Sequence, residues 1–133
     1  MIKIKLFAIF LLLLVLGCAT AQAAPDAAEL SVDFSWKGVK NCSKYSPEIR
    51  IKDIPTGTKY FEVKLKDLDA PRWKHGGGKI ENNDSGIIQA GALKDGYNGP
   101  CPPSGSHRYE FTVKALNAEG IIIGIGKAVR NFP

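Results

Sequence analysis

Leu30, Val32, Phe34 and Trp36 are separated by Ser31, Asp33 and Ser35. Strict alternation puts successive side chains on opposite faces of an extended chain and predicts a strand with one face buried. The same period recurs from Tyr60 to Lys66, with Phe61, Val63 and Leu65 inward. It returns from Tyr109 to Ala115, where Glu110, Thr112 and Lys114 take the outer face. Ile49 and Ile51 mark a shorter strand, Ile87 to Leu93 a glycine-interrupted one and Ile121 to Ala128 a final one. Asn41, Pro55-Thr56-Gly57, Pro71, Asn82-Asn83-Asp84 and the prolines after Gly99 supply turns between them. Gly76 to Gly78 reads as a flexible turn or bulge, and Gly124-x-Gly126 as a bulge inside the last strand. No sustained helical period is present, so about seven strands with regular punctuation predict an all-β antiparallel sandwich with little helix.

The first residues follow a different rule. Lys3 and Lys5 precede an apolar run from residue 6 to 17, and Ala21-Gln22-Ala23 offers a cleavage site. This is the pattern of a secretory signal peptide over residues 1–23; the run is shorter than the roughly 20 residues of a membrane span. Gly17-Cys18 opens the alternative of a lipid anchor on Cys18, with Leu16 bulky where such signals prefer a small residue. The mature chain is then one domain of 110 residues, 24–133, out of 133, exported to the periplasm or secreted. Cys42 and Cys101 are its two cysteines, and an even pair in an oxidising compartment predicts a disulfide. Closing a loop of about 60 residues contributes roughly 4 kcal/mol on the chain-entropy model.

Charge narrows the partners. Two of the 18 basic residues leave with the leader, so the formal charge of +5 becomes +3. The remaining cations are interleaved with carboxylates and lack the one-sided clustering of a nucleic-acid groove. Nothing in 24–133 is a candidate transmembrane segment. Polar residues for which a core has no use gather instead in two places, "DLDAPRWKH" at 67–75 and "GPCPPSGSHRYEF" at 99–111. His107 and Tyr109 share the inward parity of Phe111, so the histidine points inward at the mouth of its strand. Prolines fix φ along the approach, while Gly99 and Gly105 let the backbone come close to a ligand. If the two segments meet, Asp67, Asp69, Trp73, His75, His107 and Tyr109 line one pocket.

Asp67-x-Asp69-Ala70-Pro71, Trp73-x-His75, Gly99-Pro100 and Gly105-x-His107-Arg108-Tyr109, with Ser46-Pro47 and Pro55-x-Gly57-Thr58-Lys59 upstream, resemble the phosphatidylethanolamine-binding protein family. That family includes the Raf kinase inhibitor proteins and short secreted bacterial relatives. The resemblance implies a Greek-key β-sandwich with a pocket for phosphate-like anions or phospholipid head groups, lined by Asp67, Asp69, Trp73, His75, His107 and Tyr109. Pro71, Gly99 and Pro100 form its wall. It implies a binding protein, neither an enzyme nor dependent on a cofactor. Histidines and a tyrosine hydroxyl donate to phosphate oxygens, and a carboxylate meets a head-group ammonium over the indole face.

Other readings address the same residues. Asp67 and Asp69 also suit turn capping before Ala70-Pro71. Two histidines with a carboxylate match a metal-hydrolase ligand set, although no His-x-His or His-Glu-x-x-His spacing is present. The rigid 99–106 loop suits a secreted interaction or inhibitor protein.

Overall fold

The computed structural model describes residues 23–133, so the expected leader, save its last residue Ala23, and Cys18 lie outside the described residues. Eight strands follow in chain order: β1 (Ala23–Glu29), β2 (Ser31–Phe34), β3 (Ile49–Lys52), β4 (Tyr60–Asp67), β5 (Lys74–Glu81), β6 (Ile87–Ile88), β7 (His107–Leu116) and β8 (Ile122–Phe132). Five of them form one sheet in the order β1-β8-β7-β4-β5, and three form the other in the order β2-β3-β6. β4 and β7 are neighbours although β5 and β6 lie between them in sequence, and β6 belongs to the second sheet; this return after an excursion is the Greek-key connection. Among the described residues there is no helix long and apolar enough to cross a membrane.

Alternation decides which face is inward. Phe61, Val63 and Leu65 of β4 and Tyr109, Phe111, Val113 and Ala115 of β7 are buried at 5% exposure or less. They meet Phe34, Ile49, Ile51 and Ile88 from the second sheet in one core. Phe34 and Phe111 pack edge to face at 4.8 Å across the two sheets, the geometry that the ring quadrupole favours. Residues 23–133 thus carry both sheets, the core between them and the covalent link described below.

Three expectations are corrected in detail. Two of the eight strands lie outside the six runs that the hydrophobic pattern marks: β5, which carries the glycine run, and β1, which has no alternating signal and runs parallel to β8 while every other pair is antiparallel. The predicted Ile87–Leu93 strand shrinks to two residues; beyond Ile88 the chain turns, with Gly91 N–H donating to Ser46 O. The glycine run 76–78 belongs to β5, with Gly77 exchanging both backbone hydrogen bonds with Asp95 on its far side. The bulge expected beside Gly124 in the last strand is present, since between the pairs Ala115↔Gly124 and Leu116↔Ile122 the extra residue, Ile123, lies on β8; Gly126 has its own reason. A Cβ there would come within 2.3 Å of Leu30 O, where the chain passes from β1 to β2.

Candidate functional site

β4 ends at Asp67 directly opposite Tyr109 of β7, so pairing of the two long strands brings the first motif against the last. Asp67 is 3% exposed, a position where a carboxylate persists only if its oxygens are satisfied. The backbone amides of Asp69 and Ala70 donate to its Oδ1 at 2.8 and 2.9 Å, and His107 Nδ1 donates to its Oδ2 at 2.7 Å. Burial pushes the carboxyl up, yet the hydrogen bonds from His107, the two amides and Tyr109 together hold it below the ordinary carboxylate value. The aspartate therefore caps the turn and orients the histidine at once.

Tyr109 is fully buried. Its hydroxyl accepts from Cys101 N–H at 3.3 Å, and burial together with the Asp67 carboxylate pushes its pKa up to about 12. It stays a neutral donor at every physiological pH. The His107 ring lies over it at 6.3 Å and 27°, and the His75 ring stands edge-on at 5.3 Å.

His75 reaches this cluster through an irregularity in β5. The pairs Lys64↔Gly77 and Lys66↔Lys74 enclose one residue on β4 but two, His75 and Gly76, on β5. Gly76 sits at φ +66°, the left-handed conformation of a glycine bulge, and such bulges re-aim the neighbouring side chain. His75 thereby turns inward and is 2% exposed. Its Nδ1 donates to Asn98 O at 2.6 Å, because a carbonyl only accepts. Nε2 is then left as a bare acceptor, buried and without a partner among the described residues. Trp36, edge-on to Tyr109 at 6.0 Å, leaves its Nε1 donor in the same state.

The remaining predicted residues take other places. Asp69 points outward to Arg108, accepting from its amide at 2.7 Å and from Nη2 at 2.8 Å. Arg108's side chain and amide hold the carboxyl down at about 2. It braces the two motifs and does not face His75. Trp73 is 67% exposed, and with Pro71 it lines a groove over β4 and β5. Pro100 is buried as wall, its carbonyl accepting from Cys42 N–H at 2.7 Å, and Gly99 N–H donates to Ser43 O at 2.7 Å. The Cys42–Cys101 disulfide is formed, spanning 59 residues, and ties this wall to the 41–43 loop. Among the described residues no group of three His, Cys, Asp or Glu side chains is placed to hold a metal ion.

With that geometry in place, comparison with known proteins is decisive for the family. The family profile described as phosphatidylethanolamine-binding protein matches residues 20–132. The chain belongs to that family. YbhB of Escherichia coli K12 is 36% identical to this phosphatidylethanolamine-binding protein family member over 104 residues, 61% of this chain and 65% of YbhB. A relative from Aquifex aeolicus is 34% identical over 103 residues, 57% of this chain and 56% of the relative. The chain therefore spans somewhat over half the length of these curated relatives. Among solved structures, a phosphatidylethanolamine-binding protein homolog from Chlamydia trachomatis superposes with a TM-score of 0.58 at 19% identity, covering 81% of this chain and 98% of that one. Escherichia coli YbcL superposes at 0.53 with 22% identity, covering 67% of this chain and 80% of that one. Both share the fold.

Three contributors escaped the sequence reading of this family member. Arg108 has the outward parity of a solvated residue, and only the approach of the 68–70 turn gives it Asp69. Trp36 lies past the end of β2, where alternation no longer says what it meets. Asn98 acts through its carbonyl, which no side-chain pattern encodes.

Proposed function

We propose that this protein is an exported, non-enzymatic binding protein whose pocket takes a phosphate-like anion or a phospholipid head group. The observation that carries the reading is the unpartnered, buried Nε2 of His75 beside His107 and Tyr109. An unsatisfied buried nitrogen costs free energy, and a ligand atom placed against it removes that cost. Both aspartates already have protein partners, Asp67 in His107 and Asp69 in Arg108, which supports a binding role over acid–base catalysis.

The tautomers carry a further consequence. Each histidine commits Nδ1–H to an acceptor, Asn98 O or Asp67, so a neutral ring offers an anion only a lone pair. Nε2 is thus the ring atom left to meet a ligand, as an acceptor for its ammonium or for a phosphate hydroxyl.

The test is a two-dimensional amide NMR titration of residues 24–133 with phosphorylethanolamine, repeated on His107→Ala. Shifts clustered at 67–75 and 99–109 and lost in the variant support the pocket. An unmoved spectrum at millimolar ligand overturns it and moves the 99–106 loop, as the surface of an interaction protein, to the front.

A further inference from the structure

The triplet Asn-x-Ser occurs twice, at Asn41-Cys42-Ser43 and at Asn83-Asp84-Ser85. In a chain that passes through an export pathway this is the acceptor triplet for an N-linked oligosaccharide, provided that the asparagine amide and the hydroxyl two residues on are both reachable. The fold separates the two copies. Asn41 adjoins Cys42, whose sulfur is bonded to Cys101 and whose N–H donates to Pro100 O, and the Ser43 hydroxyl oxygen accepts from Tyr45 N–H at 3.0 Å. That triplet is fastened to the pocket wall. Asn83, Asp84 and Ser85 are instead all exposed, in the turn between β5 and β6. Asp84 takes φ +60°, a left-handed conformation that aspartate tolerates. Ser85 is thereby folded back, its hydroxyl donating to Asn83 Oδ1 at 2.6 Å and its N–H at 3.2 Å. With Oδ1 engaged there, Nδ2 of Asn83 makes no hydrogen bond among the described residues. Asn82 is the opposite case, its Nδ2 committed to Thr58 O at 3.0 Å and Asp84 Oδ1 at 3.1 Å, with no hydroxyl two residues on. Glu81, two residues before Asn83, adds the acidic side chain that bacterial transferases read. Its pair with Lys59 joins two exposed side chains and is weak enough to release it.

We infer that Asn83 is an acceptor for an N-linked oligosaccharide, transferred from a polyprenyl-pyrophosphate carrier by a membrane oligosaccharyltransferase. Nδ2 forms a bond to the anomeric carbon of the first sugar while the bond from that carbon to the pyrophosphate oxygen breaks. The carrier leaves as lipid pyrophosphate with the electron pair, Nδ2 gives one proton to a carboxylate of the transferase, and nothing is oxidised or reduced. In the cell this step rests on the export proposed above, since transfer takes place on the exported side of the membrane. The turn adjoins the end of β4 where Tyr60 pairs with Glu81, whereas the pocket lies at the end where Asp67 pairs with Tyr109. The strand from Tyr60 to Asp67 spans roughly 23 Å, so a glycan on Asn83 leaves the pocket open.

Residues 24–133 are incubated with a purified bacterial oligosaccharyltransferase and its lipid-linked oligosaccharide, and the full chain is expressed in cells carrying the same enzyme and donor. Both products are read by intact mass and by fragmentation of the tryptic peptide 80–94. The expected result is a gain of one oligosaccharide on Asn83, lost in Asn83→Gln and in Ser85→Ala but kept in Ser85→Thr and in Asn41→Gln, with native amide spectra for all four variants. Transfer in cells alone means attachment before folding and supports the site. Transfer to the purified protein alone supports the site and rejects export. No mass gain in either setting, or a gain that persists in Asn83→Gln, overturns the assignment. His107→Ala, which tests the pocket, should leave transfer unchanged, so the two readings fail separately.

Discussion

Asp67 and Asp69 stand two residues apart and have opposite fates, which parity along β4 and the turn after it explains. Asp67 continues the inward series of Phe61, Val63 and Leu65 and arrives buried beneath His107. Asp69 lies beyond the strand end, is free to face outward, and meets Arg108. Both carboxyls are held below their ordinary value, so each contributes stability that is present above the unfolded pKa of about 4 and is lost as pH falls through the folded one. The melting temperature should therefore drop as pH is lowered from about 5 toward 2. In Asp69→Asn that decline should be shallower between 4 and 2, because the group held down at about 2 no longer titrates. Thermal melts across this range decide it; superimposable acid limbs for the two proteins would reject the role given to the Arg108 pair. Asp67→Asn should in addition loosen His107, visible as a shift of its ring protons.

At the scale of elements, β5 is the least ordinary strand, since it keeps its ladder through three consecutive glycines. A glycine-rich segment reads as a turn in one dimension because its entropy favours irregular chain. Here the backbone of 95–96 packs so closely that a side chain cannot enter: a Cβ on Gly76 would lie 2.3 Å from Gly96 O, at a positive φ besides. Gly76→Ala should thus cost about 2 kcal/mol or more, combining left-handed strain with a backbone clash. It should also displace His75, so that urea unfolding and the amide shifts of His75 and Asn98 change together. A loss under about 0.5 kcal/mol in urea, the range of an ordinary surface substitution, would show that the bulge is dispensable. The strand assignments elsewhere were legible because alternation reports a buried face directly. β1 was not legible, since an edge strand of small and polar residues has no such face to report.

For the whole molecule, the link between Cys42 and Cys101 closes 59 residues of chain and fastens the proline-rich wall of the pocket to the loop before Ser43. A domain of about 110 residues leaves much apolar surface incompletely buried, so constraint on the unfolded chain matters. Cys42→Ser with Cys101→Ser should lower the unfolding free energy by roughly 4 kcal/mol on the loop-entropy model, measured by urea titration against the oxidised protein. An unchanged midpoint would mean that the wall is held by its backbone pairs, Cys42 to Pro100 and Gly99 to Ser43, without help from the disulfide.

The division between what the chain encodes locally and what folding adds runs along these scales. Sequence by itself determined the all-β class, the inward sets of β4 and β7, the cysteine pair and the two motifs that meet, because periodicity and residue chemistry act over a few neighbouring positions. Tertiary structure alone decided that His75 faces inward past a bulge, that Asp69 belongs to Arg108, and that Trp73 lies outside over β4 and β5. Each of those depends on which backbone passes within a few ångströms from a distant part of the chain, and that proximity is a property of the packed sheets rather than of any local pattern.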